Sequence, residues 1–174
     1  MDQFQVLLDQ ASTQANLKLE EKVANLLKKH NHTVAVAESL TGGLISSRLT
    51  RMPGSSDFFV GGVVAYHTLV KVQQVGVDPK LIAKHGVVSE EVAMAMAEGI
   101  RSRLKTDIGL AATGVAGPDP LPGVPVGTVW LGMSVAGEKK AKKFVFEGQR
   151  DDIRQRASQA ALGMIWIHYG ELVI

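Results

Sequence analysis

The spacing of apolar residues changes several times along the chain, and these changes predict its elements. Short runs rich in valine and alanine alternate with longer stretches in which apolar residues recur every three or four positions. The short runs are typical of strands and the longer stretches of amphipathic helices. Strands are predicted at residues 33–37, 60–66, 107–113, 126–136 and 141–146. Helices are predicted at residues 17–29, 44–52, 69–75, 79–84, 89–104 and 151–168.

The order of these elements predicts the fold class. Strands and helices alternate through most of the chain, and then two strands follow each other through Gly137-Glu138, which is typical of a hairpin. This order favours a three-layer α/β/α sandwich with a mixed, mostly parallel sheet. The strand at 60–66 is expected to be buried. We interpret residues 1–174 as a single domain, in which residues 1–14 form a loosely packed amino-terminal helix.

Composition narrows the class of protein without identifying it. The 174 residues are 45% hydrophobic and 21% charged, as in ordinary soluble globular proteins, and the net charge of +2 does not favour nucleic acid. The absence of cysteine excludes disulfides and thiol catalysis, and no His/Asp/Glu set has metal-ligand spacing. Without a signal pattern or a long apolar segment, we expect a cytoplasmic protein with no membrane contact. The lysine pairs at 139–140 and 142–143 indicate a solvated strand edge.

The segment at 36–44 is the most informative part of the chain. A β-branched run ends at Glu38 and Ser39, and Gly42-Gly43 then leads into an amphipathic stretch. This order predicts a strand, a tight turn that carries Ser39, and a helix. Unpaired backbone N–H groups at a helix start suit a developing negative charge, so Ser39 is a candidate nucleophile.

Polar groups follow three of the predicted strands. Ligands in open α/β sheets bind at the carboxyl ends of the strands, where such loops converge. If the strands are parallel neighbours, all three loops face one cleft. The three loops carry Glu38, Ser39 and Thr41; Tyr66, His67, Thr68 and Lys71; and Thr113, Gly114, Gly117 and Asp119.

A serine hydroxyl needs a base to accept its proton, and His67 and Lys71 are the nearby candidates. A lysine serves only when its amine is neutral, and the apolar neighbours of Lys71 favour the desolvation that this requires. Tyr66 is a candidate to relay a proton or to orient the amine. In the alternative interpretation, Ser39 and Thr41 cap a helix while Lys71 extends to solvent.

Other residues are candidates for holding a ligand. Gly42 and Gly43 permit close approach to the backbone, and the small-residue loop at 113–118 is suited to wrapping a sugar or a phosphate. Arg150 begins the last helix, where positive charge is unfavourable. It is therefore a candidate for an anionic ligand or a partner subunit, with a solvated face as the alternative.

Several ordered motifs resemble the CinA carboxy-terminal domain family. The resemblance covers about residues 17–168 and includes the spacing from Tyr66 to Lys71. The other matching segments are AESLTGG at 37–43, PGSS at 53–56, HGVVSE at 85–90, TGVAGP at 113–118 and PVGTVW at 125–130. The chain resembles the standalone form, since many members carry an additional amino-terminal domain.

The resemblance implies an amidohydrolase that converts nicotinamide mononucleotide to nicotinic acid mononucleotide and ammonia. It implies Ser39 as the nucleophile, Lys71 as the base and Tyr66 in an assisting role, with amides near Thr41 and Gly42 holding the oxyanion. No metal or organic cofactor is implied, the partner is a small pyridine nucleotide, and we expect a homo-oligomer. Substrate contacts are predicted for Glu38, Thr41, Gly42, Gly43, Thr113, Gly114, Gly117 and Arg150.

Two loops leave a second function open. Residues 67–70 read His-Thr-Leu-Val where the family commonly has Ser-Asn-Glu-Ala, and residues 119–124 lack the usual glycine-rich, lysine-containing segment. The alternative to an enzyme is a catalytically impaired nucleotide-binding or interaction module on the same scaffold.

Overall fold

The structure, a computed structural model, describes residues 18–170 of the chain. Its strands are β1 (Val34–Glu38), β2 (Phe59–Val64), β3 (Ile108–Gly114), β4 (Thr128–Val135) and β5 (Glu138–Val145). Its helices are α1 (Leu19–His30), α2 (Leu44–Thr50), α3 (Thr68–Val70), α4 (Pro79–His85), α5 (Glu90–Leu104) and α6 (Arg150–Gly170), with a 3₁₀ turn at Ser55–Asp57 and a π-helix at Lys71–Val75. The predicted helix at residues 1–14 lies outside the described residues.

The strands form one mixed sheet in the order β2-β1-β3-β4-β5. β1 pairs in parallel with β2 and β3, and the pairs β3–β4 and β4–β5 are antiparallel. Helices α1, α2 and α6 pack on one face, while α5 and the π-helix pack on the other. The predicted α/β/α sandwich with a mixed sheet is confirmed.

The two faces of the sheet bury side chains of different size. Along β1, Val34 and Val36 join the core under α1, α2 and α6, whereas Ala35 and Ala37 join the core under α5. Side chains alternate between the two faces along a strand, so the alternation of valine and alanine in the sequence sets which face is bulky and which is small. The small residues allow α5 to lie very close to the sheet.

β2 differs from its prediction. It is an edge strand whose residues alternate in exposure, and the side chains of Val60 and Val64 are about half exposed. An edge strand has a neighbour on one side only and is incompletely covered, so the prediction of a buried strand at 60–66 was wrong. Apolar composition alone does not distinguish an edge strand from a central one.

The predicted hairpin is present with its turn one residue earlier. Ala136 and Gly137 both have positive φ, of 50° and 88°, and β5 begins at Glu138. Two consecutive left-handed residues match the twist of the flanking strands. β5 lies at the other edge of the sheet, so the lysine pairs at 139–140 and 142–143 do occupy a strand edge.

Candidate functional site

The three predicted loops converge on one cavity at the carboxyl ends of β1, β2 and β3. The cavity has a volume of about 260 Å³ and lies between the turn after β1, the start of α3 and the loop after β3. Among the predicted residues it is lined by Ser39, Tyr66, Thr68, Lys71, Thr113, Gly114, Gly117, Asp119 and Arg150. Leu40, Val87, Val88, Val115, Ala116 and Leu121 complete the lining.

Ser39 and Lys71 both line this cavity and contact each other. The Lys71 Nζ lies 3.0 Å from the Ser39 Oγ, and both residues are buried. His67, the other candidate base, is exposed and uses its Nδ1 to accept a hydrogen bond from the Leu69 N–H. The structure therefore brings the lysine, and not the histidine, to the serine.

The other contacts of the Lys71 amine account for its hydrogens. Its Nζ donates to the carbonyl oxygens of Ala65, at 2.6 Å, and Tyr66, at 3.2 Å. A neutral amine has two N–H bonds and one lone pair. If the two N–H bonds go to the two carbonyls, the lone pair is left to accept the Ser39 proton.

Burial prepares the amine for this role. The Lys71 side chain is 2% exposed, and desolvation lowers its pKa from 10.5 to about 8. The cause is physical, since an ammonium ion loses hydration inside the protein whereas a neutral amine loses much less. The residue begins the π-helix Lys71–Val75, a rare element that often occurs at functional sites.

Glu38 does not line the cavity, which corrects its predicted role in substrate binding. Its carboxylate is 1% exposed and accepts hydrogen bonds from the N–H groups of Gly43, Ile45 and Ser46 at 2.9–3.1 Å. The Ser46 hydroxyl donates to it as well, at 2.7 Å. Glu38 therefore caps the first turn of α2, where a negative charge is also favoured by the helix dipole.

We expect Glu38→Gln to lower the free energy of unfolding by about 2 kcal/mol, because it replaces a buried charged acceptor that serves four donors. Urea denaturation measures this change. Asp78→Asn is the matched control. The Asp78 carboxylate caps α4 at the surface by accepting one hydrogen bond from the Lys80 N–H, and we expect this substitution to lower the free energy of unfolding by less than about 1 kcal/mol. Equal effects of the two substitutions would contradict the capping role of Glu38.

Thr41, Gly42 and Gly43 shape the turn and do not line the cavity. Gly42 and Gly43 have φ of +59° and +99°, which favours glycine. The Gly42 N–H donates to the Ser39 carbonyl at 3.1 Å, so the predicted oxyanion role of that amide is corrected. The Thr41 hydroxyl is buried with no hydrogen-bond partner within residues 18–170.

Arg154 holds the same turn from α6, and the sequence did not single it out. Its Nε donates to the Leu40 carbonyl at 3.0 Å, and its Nη2 donates to the Thr41 carbonyl at 3.3 Å. An ion pair with Asp151 at 2.9 Å orients the guanidinium. The only sequence signal was a run of arginines at the start of a helix, which equally describes a solvated face.

Tyr66 and Arg150 meet at the mouth of the cavity. The Arg150 Nη2 lies 2.8 Å from the Tyr66 hydroxyl, and its Nη1 donates to the Gly117 carbonyl at 2.5 Å. The Tyr66 side chain is 58% exposed. Two roles were considered for Tyr66, proton relay and orientation of the amine. Its backbone carbonyl accepts a hydrogen bond from the Lys71 amine and so orients it, whereas its hydroxyl contacts Arg150.

Thr113 joins two walls of the cavity. Its buried hydroxyl donates to the Val87 carbonyl at 2.8 Å, which fixes the segment before α5 against the end of β3. Val87 and Val88 thereby reach the cavity. These valines lie within the HGVVSE segment at 85–90, but they carry no polar group, so the sequence analysis did not single them out as site residues.

Within residues 18–170 no helix is long and apolar enough to cross a membrane. In the same part of the chain, no group of three histidine or acidic side chains is placed to hold a metal ion.

The fold and the site define a class: an α/β/α domain whose cleft pairs a serine hydroxyl with a buried lysine amine. The comparisons with known proteins agree on one family. The sequence profile of the CinA C-terminal domain matches residues 16–168, so the chain belongs to the CinA C-terminal domain family.

Individual relatives support the same assignment. A CinA-like protein of Gemmatimonas aurantiaca is 53% identical over 131 residues, 75% of this chain and 31% of that protein. A CinA-like protein of Dictyoglomus thermophilum is 45% identical over 148 residues, 84% of this chain and 36% of that protein. The chain thus spans about a third of the length of these relatives.

Solved structures match nearly the whole fold. A CinA superfamily protein from Klebsiella pneumoniae 700603 superposes with a TM-score of 0.86 at 28% identity, covering 88% of this chain and 96% of that one. A competence or damage-inducible protein from Enterobacter asburiae gives 0.85 at 29% identity, with coverage of 87% and 96%.

Proposed function

We propose that this domain is an amidohydrolase that converts nicotinamide mononucleotide to nicotinic acid mononucleotide and ammonia. The observation that carries the proposal is the 3.0 Å contact between the Ser39 Oγ and the Lys71 Nζ in a cavity of about 260 Å³. Family membership supports the proposal, because the site sits on the scaffold whose motifs the sequence shares.

The reaction begins with attack on the amide. The neutral Lys71 amine takes the Ser39 proton while the Ser39 oxygen bonds to the carboxamide carbon, which gives a tetrahedral intermediate. Lys71 then delivers its proton to the amide nitrogen, the carbon–nitrogen bond breaks, and ammonia leaves. An acyl ester on Ser39 remains.

Water completes the cycle. Lys71, neutral again, takes a proton from water as the hydroxide oxygen attacks the ester carbon. The second tetrahedral intermediate collapses, the Ser39 oxygen regains a proton, and the carboxylic acid departs. Atoms balance as amide plus water giving acid plus ammonia.

The negative oxygen of each intermediate needs donors. The N–H groups of Leu40 and Thr41 donate to no acceptor among residues 18–170, while the Gly42 and Gly43 N–H groups are already engaged. Leu40 also lines the cavity. We therefore assign the oxyanion to the Leu40 amide, in the geometry of a strand-to-helix turn.

Charged groups at the mouth suit a nucleotide. The Arg150 guanidinium lies at the cavity rim, where it can contact the phosphate of a bound mononucleotide. Asp119 lines the same cavity and, within the described residues, forms no ion pair or hydrogen bond. A cation for phosphate and a carboxylate for sugar hydroxyls fit a mononucleotide.

The deciding experiment is ammonia release from nicotinamide mononucleotide by the purified chain. In ¹⁸O-water, one heavy oxygen is expected in the nicotinic acid mononucleotide formed. The second candidate, a nucleotide-binding module without turnover, is favoured by the altered loops at 67–70 and 119–124, where Leu69 and Leu121 are exposed. Binding by calorimetry without ammonia would select the module, and efficient turnover would exclude it.

The pH dependence follows from the lysine. Because burial lowers the pKa of Lys71 to about 8, about a tenth of the amine is neutral at pH 7 and most of it above pH 9. We expect kcat/KM for nicotinamide mononucleotide to rise with pH and level off with a midpoint near 8. A rate that is constant from pH 6.5 to 9 would show that the neutral amine is not the base.

A further inference from the structure

Gly99 of α5 lies directly against the element that carries Lys71. A Cβ atom at position 99 would stand 2.0 Å from the Val75 carbonyl oxygen and 3.1 Å from its carbonyl carbon. Atoms do not approach that closely, so only glycine permits this contact. Val75 is the last residue of the π-helix and is fully buried in the core under α5.

Backbone hydrogen bonds link the two ends of the π-helix. The Val77 N–H donates to the Lys71 carbonyl at 3.0 Å, and the Gly76 N–H donates to the Val72 carbonyl at 3.1 Å. Any displacement of the Val75 carbonyl is therefore passed to the residue at the other end of the turn. That residue is Lys71, whose amine must lie within hydrogen-bond distance of Ser39.

α5 has little freedom to move instead. Cβ atoms at Gly109 and Gly132 would stand 2.0 and 2.2 Å from the Ala97 and Ala93 carbonyl oxygens of α5. The helix thus lies on the sheet as closely as the backbones allow. The π-helix is short, with Gln73 and Gln74 exposed, so it is the element that yields when an atom is added at position 99.

We propose that Gly99 is a positioning residue, which sets the depth of the π-helix and thereby holds the Lys71 amine against Ser39. The inference rests on the proposed function of the Ser39–Lys71 pair. A Cβ atom at position 99 requires the Val75 carbonyl to retreat by about 1 Å, to the 3.0 Å below which such contacts are not found. A misplacement of about 1 Å at a reacting group lowers a rate by about 10²-fold.

The test compares Gly99→Ala with Gly132→Ala. Both add a methyl group against a backbone carbonyl. Gly99→Ala places it against the Val75 carbonyl of the π-helix, whereas Gly132→Ala, on β4, places it against the Ala93 carbonyl of α5. We expect Gly99→Ala to lower kcat about 10²-fold with little change in KM. Its pH midpoint moves from about 8 towards the ordinary lysine value of 10.5, because the displaced amine gains water.

Gly132→Ala is expected to lower the melting temperature while leaving the pH midpoint in place. An unchanged midpoint in Gly99→Ala, or an equal shift in both variants, would overturn the inference. These outcomes separate a loss of stability from a displacement of the amine.

A second variant and a direct titration keep the inference testable if Gly99→Ala does not fold. Val75→Ala adds no atom and removes the buried side chain that packs the end of the π-helix into the core under α5. Weaker packing lets the π-helix shift, so we expect its midpoint to move in the same direction by a smaller amount. NMR titration of ¹³Cε-labelled lysine, with Lys71 assigned through Lys71→Met, reads the amine without turnover. If wild type releases no ammonia, the proposed function fails, while an equal Lys71 titration in wild type and Val75→Ala rejects the role of Gly99.

Discussion

Ser39→Ala is expected to lower kcat for nicotinamide mononucleotide by at least about 10⁴-fold, because the other hydroxyl of the turn, that of Thr41, does not line the cavity and cannot form the acyl ester. Removal of a nucleophile leaves only the binding and oxyanion contributions, which do not form a covalent intermediate. The change removes one oxygen from a side chain that packs at the cavity wall. The fold is therefore expected to survive, as far-ultraviolet circular dichroism and thermal unfolding will show.

Ser47→Ala is the matched control for this variant. Ser47 lies one turn into α2 with an exposed side chain, and we expect wild-type kcat and KM from its variant. Calorimetry with nicotinamide mononucleotide on Ser39→Ala should still detect binding. Wild-type turnover by Ser39→Ala would reject the proposed chemistry, whatever the fold.

Lys71→Met is expected to lower kcat by a similar factor, about 10⁴-fold. A nucleophile and its base act together, so removing either one costs about as much as removing both. Methionine preserves the length and the apolar stem of lysine while it removes the amine. Combining Lys71→Met with Ser39→Ala should add little further loss. Additive losses would show that the two groups do not act as a unit.

The same variant has a predicted effect on stability. The pKa of Lys71 is lowered on folding from 10.5 to about 8, so between these pH values the unfolded chain binds more protons than the folded one. The free energy of unfolding of the wild type therefore rises with pH from 8 to 10.5. Below pH 8 Lys71 is charged in both states, and the folded state bears the full cost of burying its ammonium group. We expect Lys71→Met to be more stable than wild type at pH 7 by roughly 1–2 kcal/mol, part of the gain being lost at the Ala65 and Tyr66 carbonyls.

Denaturant unfolding at several pH values measures this difference, which should shrink as the pH approaches 10.5. Lys80→Met at the exposed surface of α4 serves as the control and should be neutral in both stability and activity. A destabilised Lys71→Met at pH 7 would mean that the buried ammonium contributes favourably to the fold.

The order of strands and helices could be read from the sequence because the period of apolar residues differs between the two. The helix predicted at 89–104 is present as α5, and the hydroxyl of Ser89 at its start accepts a hydrogen bond from the Val92 N–H at 3.3 Å. The place of each strand in the sheet was harder to predict. The apolar composition of β2 indicated burial, but burial depends on which strands flank it.

The central pair of the site was also predictable, since the spacing from Tyr66 to Lys71 and the turn at Ser39 are local patterns. The choice between His67 and Lys71 was not local. It depends on the fold around α3 and the π-helix, where the Lys71 side chain is buried while His67, the residue that caps α3, is exposed.

The residues around the pair were assigned less well. Glu38 and Gly42 carry polar groups beside Ser39, and proximity in sequence suggested substrate contact. In the fold their hydrogen-bonding capacity is used within the turn and the first turn of α2. Arg154 approaches from α6, more than a hundred residues away along the chain, and no local pattern reports such a contact.

The sequence by itself determined the alternation of elements, the hydroxyl at the end of β1 and the family, because each depends on the order of neighbouring residues. Tertiary structure alone decided which of the two candidate bases lies against Ser39, which amides remain free, and how deeply the π-helix sits against Gly99. Those outcomes depend on distances between elements that are far apart in the chain. A change of about 1 Å between the Lys71 amine and the Ser39 hydroxyl decides whether a proton can pass from one to the other.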